Sequence, residues 1–215
     1  MPSSEPAPPT PEILFERPLV PDPALGPYRQ RDYEQLPDQP RTELIRGRLY
    51  ACPSLTVSHQ LAVRALMMRL GPISETAGSI AFAIPLDVHL ADHSIVQPDA
   101  MYISEKRLEI IQDWIRGVPD LLVEILSPES GRTDRLEKLM LYAECGVPEY
   151  WIVDLDLQVI DCLVNEGGRY VLSPPTDGQY RSLLLPEIQL DVLEFWREIE
   201  RQLDKMRRPR VATGA

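Results

Sequence analysis

Residues 119–128 read Pro119-Asp120-Leu121-Leu122-Val123-Glu124-Ile125-Leu126-Ser127-Pro128, and they are the most informative segment for predicting the architecture of the chain. An almost unbroken apolar run of strand length, bounded by prolines, is typical of a central β-strand that is covered on both faces. We therefore predict a buried strand over residues 121–126. Glu124 interrupts the run, and an acid is costly to bury unless something pairs with it. This acid marks the strand as a candidate functional element.

A second acid precedes this strand in the sequence, and a lysine follows it. Asp99 belongs to the strand-like run 95–103, and Lys138 belongs to a helix predicted over residues 133–145. Mg²⁺ is typically held by one or two carboxylates together with waters and substrate oxygens. A nearby lysine can orient the attacking water and stabilise the charge that develops at a phosphate. Asp99, Glu124 and Lys138 are therefore candidates for a metal-dependent phosphodiesterase site.

Spacing alone leaves a structural interpretation of these residues open. An aspartate after a proline, such as Asp99, often begins a strand or a turn. Lys138 lies four residues after Asp134 and can pair with it in a surface salt bridge. Asp120 shares a strand face with Glu124 but lies about 13 Å from it, which favours a strand-start cap over metal ligation.

The composition changes along the chain and predicts one domain between two arms. Eleven of the 22 prolines fall in residues 1–40, so residues 1–27 are predicted to form a proline-rich, disordered arm. Residues 28–200 then form a single α/β domain, in which a central mixed β-sheet is flanked by helices. Residues 201–215 carry five Arg or Lys against one Asp, which predicts a basic, flexible tail.

The periodicity of the apolar residues predicts the remaining elements of the domain, and clusters of glycine or proline predict their boundaries. Ser58 is the predicted cap of a helix that begins at His59, and Gly71-Pro72 is its predicted end. The predicted strands cover residues 44–51, 80–90, 95–103, 150–154, 159–164 and 169–172, and the other predicted helices cover residues 31–36 and 192–205.

The bulk composition narrows the class of protein. No apolar run approaches the roughly 20 residues that a membrane-spanning helix needs, and the N-terminal residues do not form a secretory signal. Three cysteines without C-x-x-C spacing predict free thiols, so we expect a cytoplasmic protein with no membrane partner. The net charge of −11 argues against broad, nonspecific affinity for nucleic acid.

Five segments of the chain resemble the Uma-type restriction endonuclease family of bacteria, within the PD-(D/E)XK nuclease superfamily. The resemblance covers roughly residues 30–195, and its last segment looks like the family's most characteristic run. The segments are Glu43-Leu44-Ile45-Arg46-Gly47-Arg48-Leu49, Pro53-Ser54-x-x-x-Ser58-His59, Pro98-Asp99, the stretch 119–128, and Lys138-Leu139-x-Leu141-Tyr142-Ala143-Glu144-Cys145-Gly146-Val147-Pro148-Glu149-Tyr150-Trp151-Ile152-Val153-Asp154.

This resemblance implies a restriction-endonuclease-like core that binds Mg²⁺, with Mn²⁺ as a substitute. Asp99 and Glu124 would be metal ligands, and the backbone carbonyl of Ile125 would add another. Lys138 would position or activate water, and Glu43 would assist as an auxiliary acid.

The chain departs from the superfamily's motif at one position. The residue two after Glu124 is Leu126, where the motif has a lysine. Lys138 on the following helix fits as its replacement, provided that the side chain reaches back to the carboxylates of the strands.

These observations predict an endonuclease that hydrolyses DNA phosphodiester bonds, and the resemblance adds the expectation of a homodimer. A catalytically silent DNA- or protein-binding module on the same fold is the alternative, which the negative net charge favours. A toxin-like or mobile-element component that acts through a partner is a third interpretation. The role of His59 stays open between phosphate contact and a helix cap or other structural role. The roles of Arg132 and Arg135 stay open between phosphate contact and a solvated surface charge.

Overall fold

A computed structural model describes residues 24–52, 54–83, 85–126 and 134–207, with only the backbone of residue 134. The predictions for residues 1–23 and 208–215, and for Arg132, lie outside the described residues. In chain order the described elements are α1 (Gln30–Tyr33), β1 (Thr42–Ile45), β2 (Arg48–Ala51), α2 (Val57–Ala77), β3 (Ile80–Ala83), β4 (Val88–Ala91), β5 (Ser94–Val96), β6 (Ala100–Ile103), a 3₁₀ helix (Glu105–Ile110), β7 (Ile115–Arg116), β8 (Leu121–Ile125), α3 (Asp134–Glu144), β9 (Glu149–Asp154), β10 (Val159–Asn165), β11 (Tyr170–Leu172), β12 (Gln179–Arg181), β13 (Gln189–Asp191) and α4 (Val192–Arg207).

Two larger sheets organise the domain. A six-stranded sheet has the order β11-β10-β9-β8-β6-β3, and a five-stranded sheet has the order β2-β1-β5-β4-β7. β8 pairs in parallel with β9, to which α3 connects it, and β8 pairs antiparallel with β6. The mixed sheet with flanking helices that the sequence predicts is therefore confirmed.

The central strand β8 is buried on both faces, as its composition predicts. Its odd-numbered residues pack with α2 and α4 in one apolar core, and Leu122 packs with α3 and the five-stranded sheet in a second core. Side chains alternate along a strand, so Glu124 points to the same side as Leu122. The acid of the central strand therefore faces α3, the helix that carries Lys138.

Two of the predicted strands are each divided between the two sheets. The run 80–90 forms β3 in the six-stranded sheet and β4 in the five-stranded sheet, and the run 95–103 forms β5 and β6 in the same way. Pro85 and Pro98 lie at the two points of division, since proline cannot donate a hydrogen bond to a central ladder. The change of sheet at Pro98 brings Asp99 to the place where the two sheets meet.

The predicted strand 44–51 is in fact the hairpin β1–β2. Arg46 and Gly47 form its turn with positive φ angles of 50° and 74°. Two consecutive positive φ values are those of a type I′ turn, whose twist matches the twist of the flanking strands. Gly47 is therefore the second residue of this turn.

Helix α2 is longer than its sequence predicts. Its N-cap is Thr56 rather than Ser58, because the Thr56 hydroxyl accepts a hydrogen bond from the backbone N–H of His59 at 3.2 Å. Pro72 lies inside the helix, which continues to a left-handed C-cap at Gly78. Packing against α4, β3 and β6 outweighs the local cost of the proline.

Helix α4 also extends further than predicted, through Arg207, so residues 201–207 are helical rather than part of a flexible tail. Phe195, Trp196 and Ile199 form its buried face. Arg201 donates hydrogen bonds to two acids of the preceding turns, which supports the exposed face of the helix. None of the helices among the described residues is long and apolar enough to cross a bilayer.

Candidate active site

The register of β6 and β8 sets the two predicted metal ligands side by side. Ala100 pairs with Val123, so Asp99 and Glu124, one residue further along each strand, fall opposite each other. Opposite residues of an antiparallel pair point to the same face of the sheet. The backbone N–H of Ile125 donates a hydrogen bond to Asp99 Oδ2 at 2.7 Å, which holds this carboxylate against β8.

Lys138 connects α3 to this pair of carboxylates. Its Nζ donates a hydrogen bond to Glu124 Oε1 at 2.9 Å and another to Glu43 Oε1 at 2.8 Å. The lysine is only 4% exposed, so the alternative of a solvated surface salt bridge is wrong for this residue. The side chain of Lys138 therefore reaches from α3 to the carboxylate of Glu124. Leu126, at the position where the motif has a lysine, packs in an apolar cluster.

Glu43 joins the five-stranded sheet to the site. It lies on β1, is 3% exposed, and accepts a hydrogen bond from the backbone N–H of Gln97 at 2.8 Å. Gln97 belongs to the connection between β5 and β6, just before Asp99. Glu43 is therefore a buried, partnered acid rather than an ordinary solvated one. Four separate elements bring Glu43, Asp99, Glu124 and Lys138 together.

Tyr142 also belongs to the site, on the same helix as Lys138. Its hydroxyl donates a hydrogen bond to Glu124 Oε1 at 2.7 Å. Burial and the neighbouring charge of Glu124 raise the pKa of Tyr142 well above its usual value, so the phenol stays protonated as a donor. Its position four residues after Lys138 places it on the same face of α3.

His59 also belongs to the site, and it settles the position of Asp99. Its Nε2 lies 3.0 Å from Asp99 Oδ2, and the histidine is 3% exposed. An ionised carboxylate only accepts hydrogen bonds, so Nε2 carries the hydrogen when Asp99 is charged. The sequence marked His59 as part of a family-like segment, but it held no signal for a contact with a residue 40 positions later.

Burial dominates the electrostatics of the acidic pair. It raises the pKa of Glu124 to about 7, and the charges of Asp99 and Glu43 act in the same direction. Lys138 opposes the shift through its charge and its hydrogen bond, but does not cancel it. Glu124 therefore keeps its proton to a higher pH than an exposed glutamate does.

The carboxylate pair fits a hard cation such as Mg²⁺. Asp99 Oδ1 and Glu124 Oε2 accept no hydrogen bond from the described residues, so each acid keeps one oxygen for a further partner. In the part of the chain that is described, no group of three or more His, Cys, Asp or Glu side chains could hold a metal ion by itself. Mg²⁺ commonly binds through one or two carboxylates and takes its other ligands from water and phosphate.

Asp120 and Arg135 form ion pairs outside the carboxylate cluster. Asp120 accepts a hydrogen bond from the Ser104 backbone at 2.8 Å and pairs with Arg107 at 3.2 Å, which fits the predicted strand-start role. Arg135 pairs with Asp154 at 2.9 Å and with Asp161 at 2.8 Å. Its guanidinium therefore ties α3 to β9 and β10 instead of facing the carboxylate pair.

The large mixed sheets flanked by helices are consistent with a restriction-endonuclease-like core. The family described as "Putative restriction endonuclease" (Uma2) matches residues 30–193, and the chain belongs to this family. Its fold is similar to that of a crystal structure of "a putative nuclease belonging to DUF820" from Anabaena variabilis. That likeness has a TM-score of 0.69 at 18% identity and covers 80% of this chain and 99% of the other. Among curated proteins no match was found.

Proposed function

We propose that this protein is a metal-dependent endonuclease that hydrolyses DNA phosphodiester bonds. The observation that carries the proposal is the position of Lys138 Nζ, buried between Glu43 and Glu124 beside Asp99. Burying three or four charged groups together is costly, and hydrophobic residues of similar volume are often at least as stabilising. Such clusters with a perturbed carboxyl pKa are concentrated at functional sites. Membership of a restriction endonuclease family supports the same activity.

In the proposed mechanism each residue of the cluster has one task. Asp99 and Glu124, with the carbonyl of Ile125, would hold Mg²⁺ or Mn²⁺, which when bound acts as a Lewis acid toward the phosphate and lowers the pKa of a water molecule. Lys138 would stabilise the charge that develops on the phosphate and help to orient the attacking water. Its Nζ donates hydrogen bonds to both Glu43 and Glu124, and these two bonds fix the direction of the ammonium group.

Two positioning residues keep the carboxylates in place. His59 and the Ile125 amide both contact Asp99 Oδ2, so Oδ1 is the oxygen of Asp99 that would bind the metal. Tyr142 and Lys138 both donate to Glu124 Oε1, so Oε2 is the oxygen of Glu124 that would bind the metal. The hydrogen bonds thus select one oxygen of each acid for the reaction, an arrangement that preorganises the site before substrate arrives.

The proposal predicts that the purified protein cuts DNA in Mg²⁺ or Mn²⁺ and not in excess EDTA. Supercoiled plasmid, single-stranded and branched DNA are tested side by side, because the site does not specify the form of the substrate. Cleavage at an unchanged rate in EDTA would contradict the metal dependence. Protein that neither cuts DNA nor binds Mg²⁺ in calorimetry would support the silent binding module, which the net charge of −11 favours.

The raised pKa of Glu124 predicts that divalent-metal affinity depends on pH. A metal binds the ionised carboxylate, so affinity should fall about tenfold per pH unit below about 7 and level off above it. Calorimetric titration of Mn²⁺ across this range measures the effect. The Glu124→Gln variant, whose amide does not titrate, should lose this pH dependence, and an unchanged slope in the variant would assign the proton to another group.

Pairing of two copies is a further part of the proposal. Closed two-fold dimers are the commonest oligomers, and a pair of sites would be able to cut both strands of a duplex. We therefore propose a homodimer on DNA, which analytical ultracentrifugation of the protein with and without a duplex would detect. A single monomeric species under both conditions would exclude it.

A further inference from the structure

A cavity adjoins the carboxylate cluster and takes no part in the proposed metal site. It has a volume of about 300 Å³, at the lower end of small-molecule sites. Its walls come from the start of α2, the end of β8, the turn between β9 and β10, and the buried face of α4. His59 belongs to both places, because it lines the cavity and contacts Asp99. One imidazole ring therefore connects the cavity to the proposed reaction centre.

Two buried nitrogen atoms in the lining have no hydrogen-bond partner among the described residues. They are Nδ1 of His59 and Nε1 of Trp196, in side chains that are 3% and 8% exposed. Leaving buried polar atoms unsatisfied is costly, and such atoms call for an explanation. The indole N–H is a donor only, whereas Nδ1 of a neutral histidine is an acceptor when Nε2 donates to Asp99. Both nitrogens are covered by their neighbours, so a ligand meets this donor and this acceptor when the two side chains turn toward the cavity.

The remaining lining favours a flat, uncharged ring over an anion. Leu126, Leu155, Ile199 and Leu203 supply apolar surface. The exposed residues of the lining include two acids, of which Glu200 accepts a hydrogen bond from Gln158 at 3.2 Å. Negative charge there disfavours a phosphate inside the cavity, while an aromatic heterocycle with adjacent donor and acceptor atoms satisfies both buried nitrogens. A nucleobase has this chemistry.

We propose that this cavity receives one unpaired nucleobase of the DNA strand whose phosphodiester lies at Asp99 and Glu124. The inference rests on the proposed nuclease function and adds a substrate preference to it. A base that is paired and stacked in a duplex cannot enter a closed pocket without being extruded, at a cost of a few kcal/mol. Single-stranded or mismatched DNA therefore binds more tightly than an intact duplex.

The test separates the contribution of the bases to DNA affinity from that of the sugar-phosphate backbone. Binding of a fluorescein-labelled 12-nucleotide DNA strand is compared with that of a 12-mer of abasic tetrahydrofuran residues, which keeps every phosphate and lacks every base. Ca²⁺ replaces Mg²⁺, and a gel checks that both strands stay intact. The wild-type protein should bind the normal strand at least about fivefold more tightly than the abasic one. Equal affinity would overturn the proposal without any variant being needed.

A pair of matched variants assigns the effect to the cavity. Trp196→Phe removes the indole donor and should lower affinity for the normal strand about two- to tenfold, with no change for the abasic strand. Trp114→Phe makes the same substitution outside the cavity and should change neither affinity. Equal losses in the two variants, or a loss for both DNA strands in Trp196→Phe, would overturn the assignment.

Two further outcomes distinguish this proposal from its neighbours. Deoxynucleoside monophosphates should compete only weakly with the DNA strand, and competition at equal concentration would identify a free nucleotide as the ligand and overturn the strand assignment. Metal-dependent cleavage of plasmid is measured on the same protein. If the protein cleaves DNA but binds normal and abasic strands equally well, only the cavity proposal is contradicted. If it binds the normal strand more tightly but does not cleave, only the proposed nuclease function is contradicted.

Discussion

Replacing Asp99 by asparagine is expected to lower Mg²⁺-dependent DNA cleavage about a thousandfold while the protein stays folded. The amide oxygen of asparagine can still accept the hydrogen bonds from Ile125 and His59, so the local geometry is kept. The negative charge is lost, and with it several kcal/mol of metal-dependent stabilisation of the transition state, at 1.36 kcal/mol for each factor of ten. Single-turnover cleavage of plasmid DNA measures the loss.

A second readout of the Asp99→Asn variant does not depend on activity. The charge of Asp99 contributes to the raised pKa of Glu124, so that pKa should move down toward its usual value. Carbon-detected NMR titration of the carboxyl group would follow the shift. Asp120→Asn is the matched control, because Asp120 is equally buried but binds Ser104 and Arg107 away from the cluster. Wild-type cleavage by Asp99→Asn would show that the site assignment is wrong.

The parts of this site that could be predicted from sequence are those with a local signature. A carboxylate inside an apolar strand is conspicuous because its burial is costly. Glu124 could therefore be identified as a candidate before any partner of its side chain was known. The helix predicted after this strand likewise carries Lys138, the candidate for the lysine that the motif has at the position of Leu126. The family-like segments then added Glu43, which the structure buries against the same lysine.

The parts that could not be predicted depend on contacts between distant segments. An apolar run has the same pattern whichever sheet it joins, so nothing local divides the run 95–103 between two sheets. The contact of His59 with Asp99 and the pairing of Arg135 with Asp154 and Asp161 have the same origin. Helix α2 also continues through Pro72 because its packing against other elements outweighs the low helix propensity of proline.

One buried acid outside the site shows the limit of the argument from burial. Glu149 is fully buried at the start of β9, yet it accepts hydrogen bonds from Trp151 at 2.7 Å, from Tyr180 at 2.5 Å and from Ser182. These neutral donors attach the β12 region to the central sheet, so this carboxylate has a structural explanation. Burial alone therefore does not identify a functional acid. The buried lysine shared by two acids is what distinguishes the proposed site.

Replacing Lys138 by methionine should both abolish cleavage and destabilise the fold, by about 3–5 kcal/mol at neutral pH or above. Methionine fills most of the volume but removes the ammonium group that Glu43 and Glu124 share. The pKa of Glu124, which burial already raises, then rises further because the opposing charge of Lys138 is gone. Stability is consequently retained at low pH, where Glu124 is protonated in the folded and the unfolded chain, and lost as the pH rises through the folded-state pKa of Glu124. Urea unfolding at several pH values measures the change.

A compensating variant separates the two roles of the lysine. Combining Lys138→Met with Glu43→Gln and Glu124→Gln also removes the two carboxylate charges, so stability at neutral pH should return to within about 1–2 kcal/mol of the wild type. Activity should not return, because the lysine N–H donors and a carboxylate of the proposed metal site are still missing. Lys138→Arg keeps the positive charge and should retain more stability than Lys138→Met, with cleavage impaired by the different geometry of the guanidinium. If Lys138→Met were as stable as the wild type and cut DNA at the wild-type rate, the ion cluster would be neither a structural nor a catalytic centre.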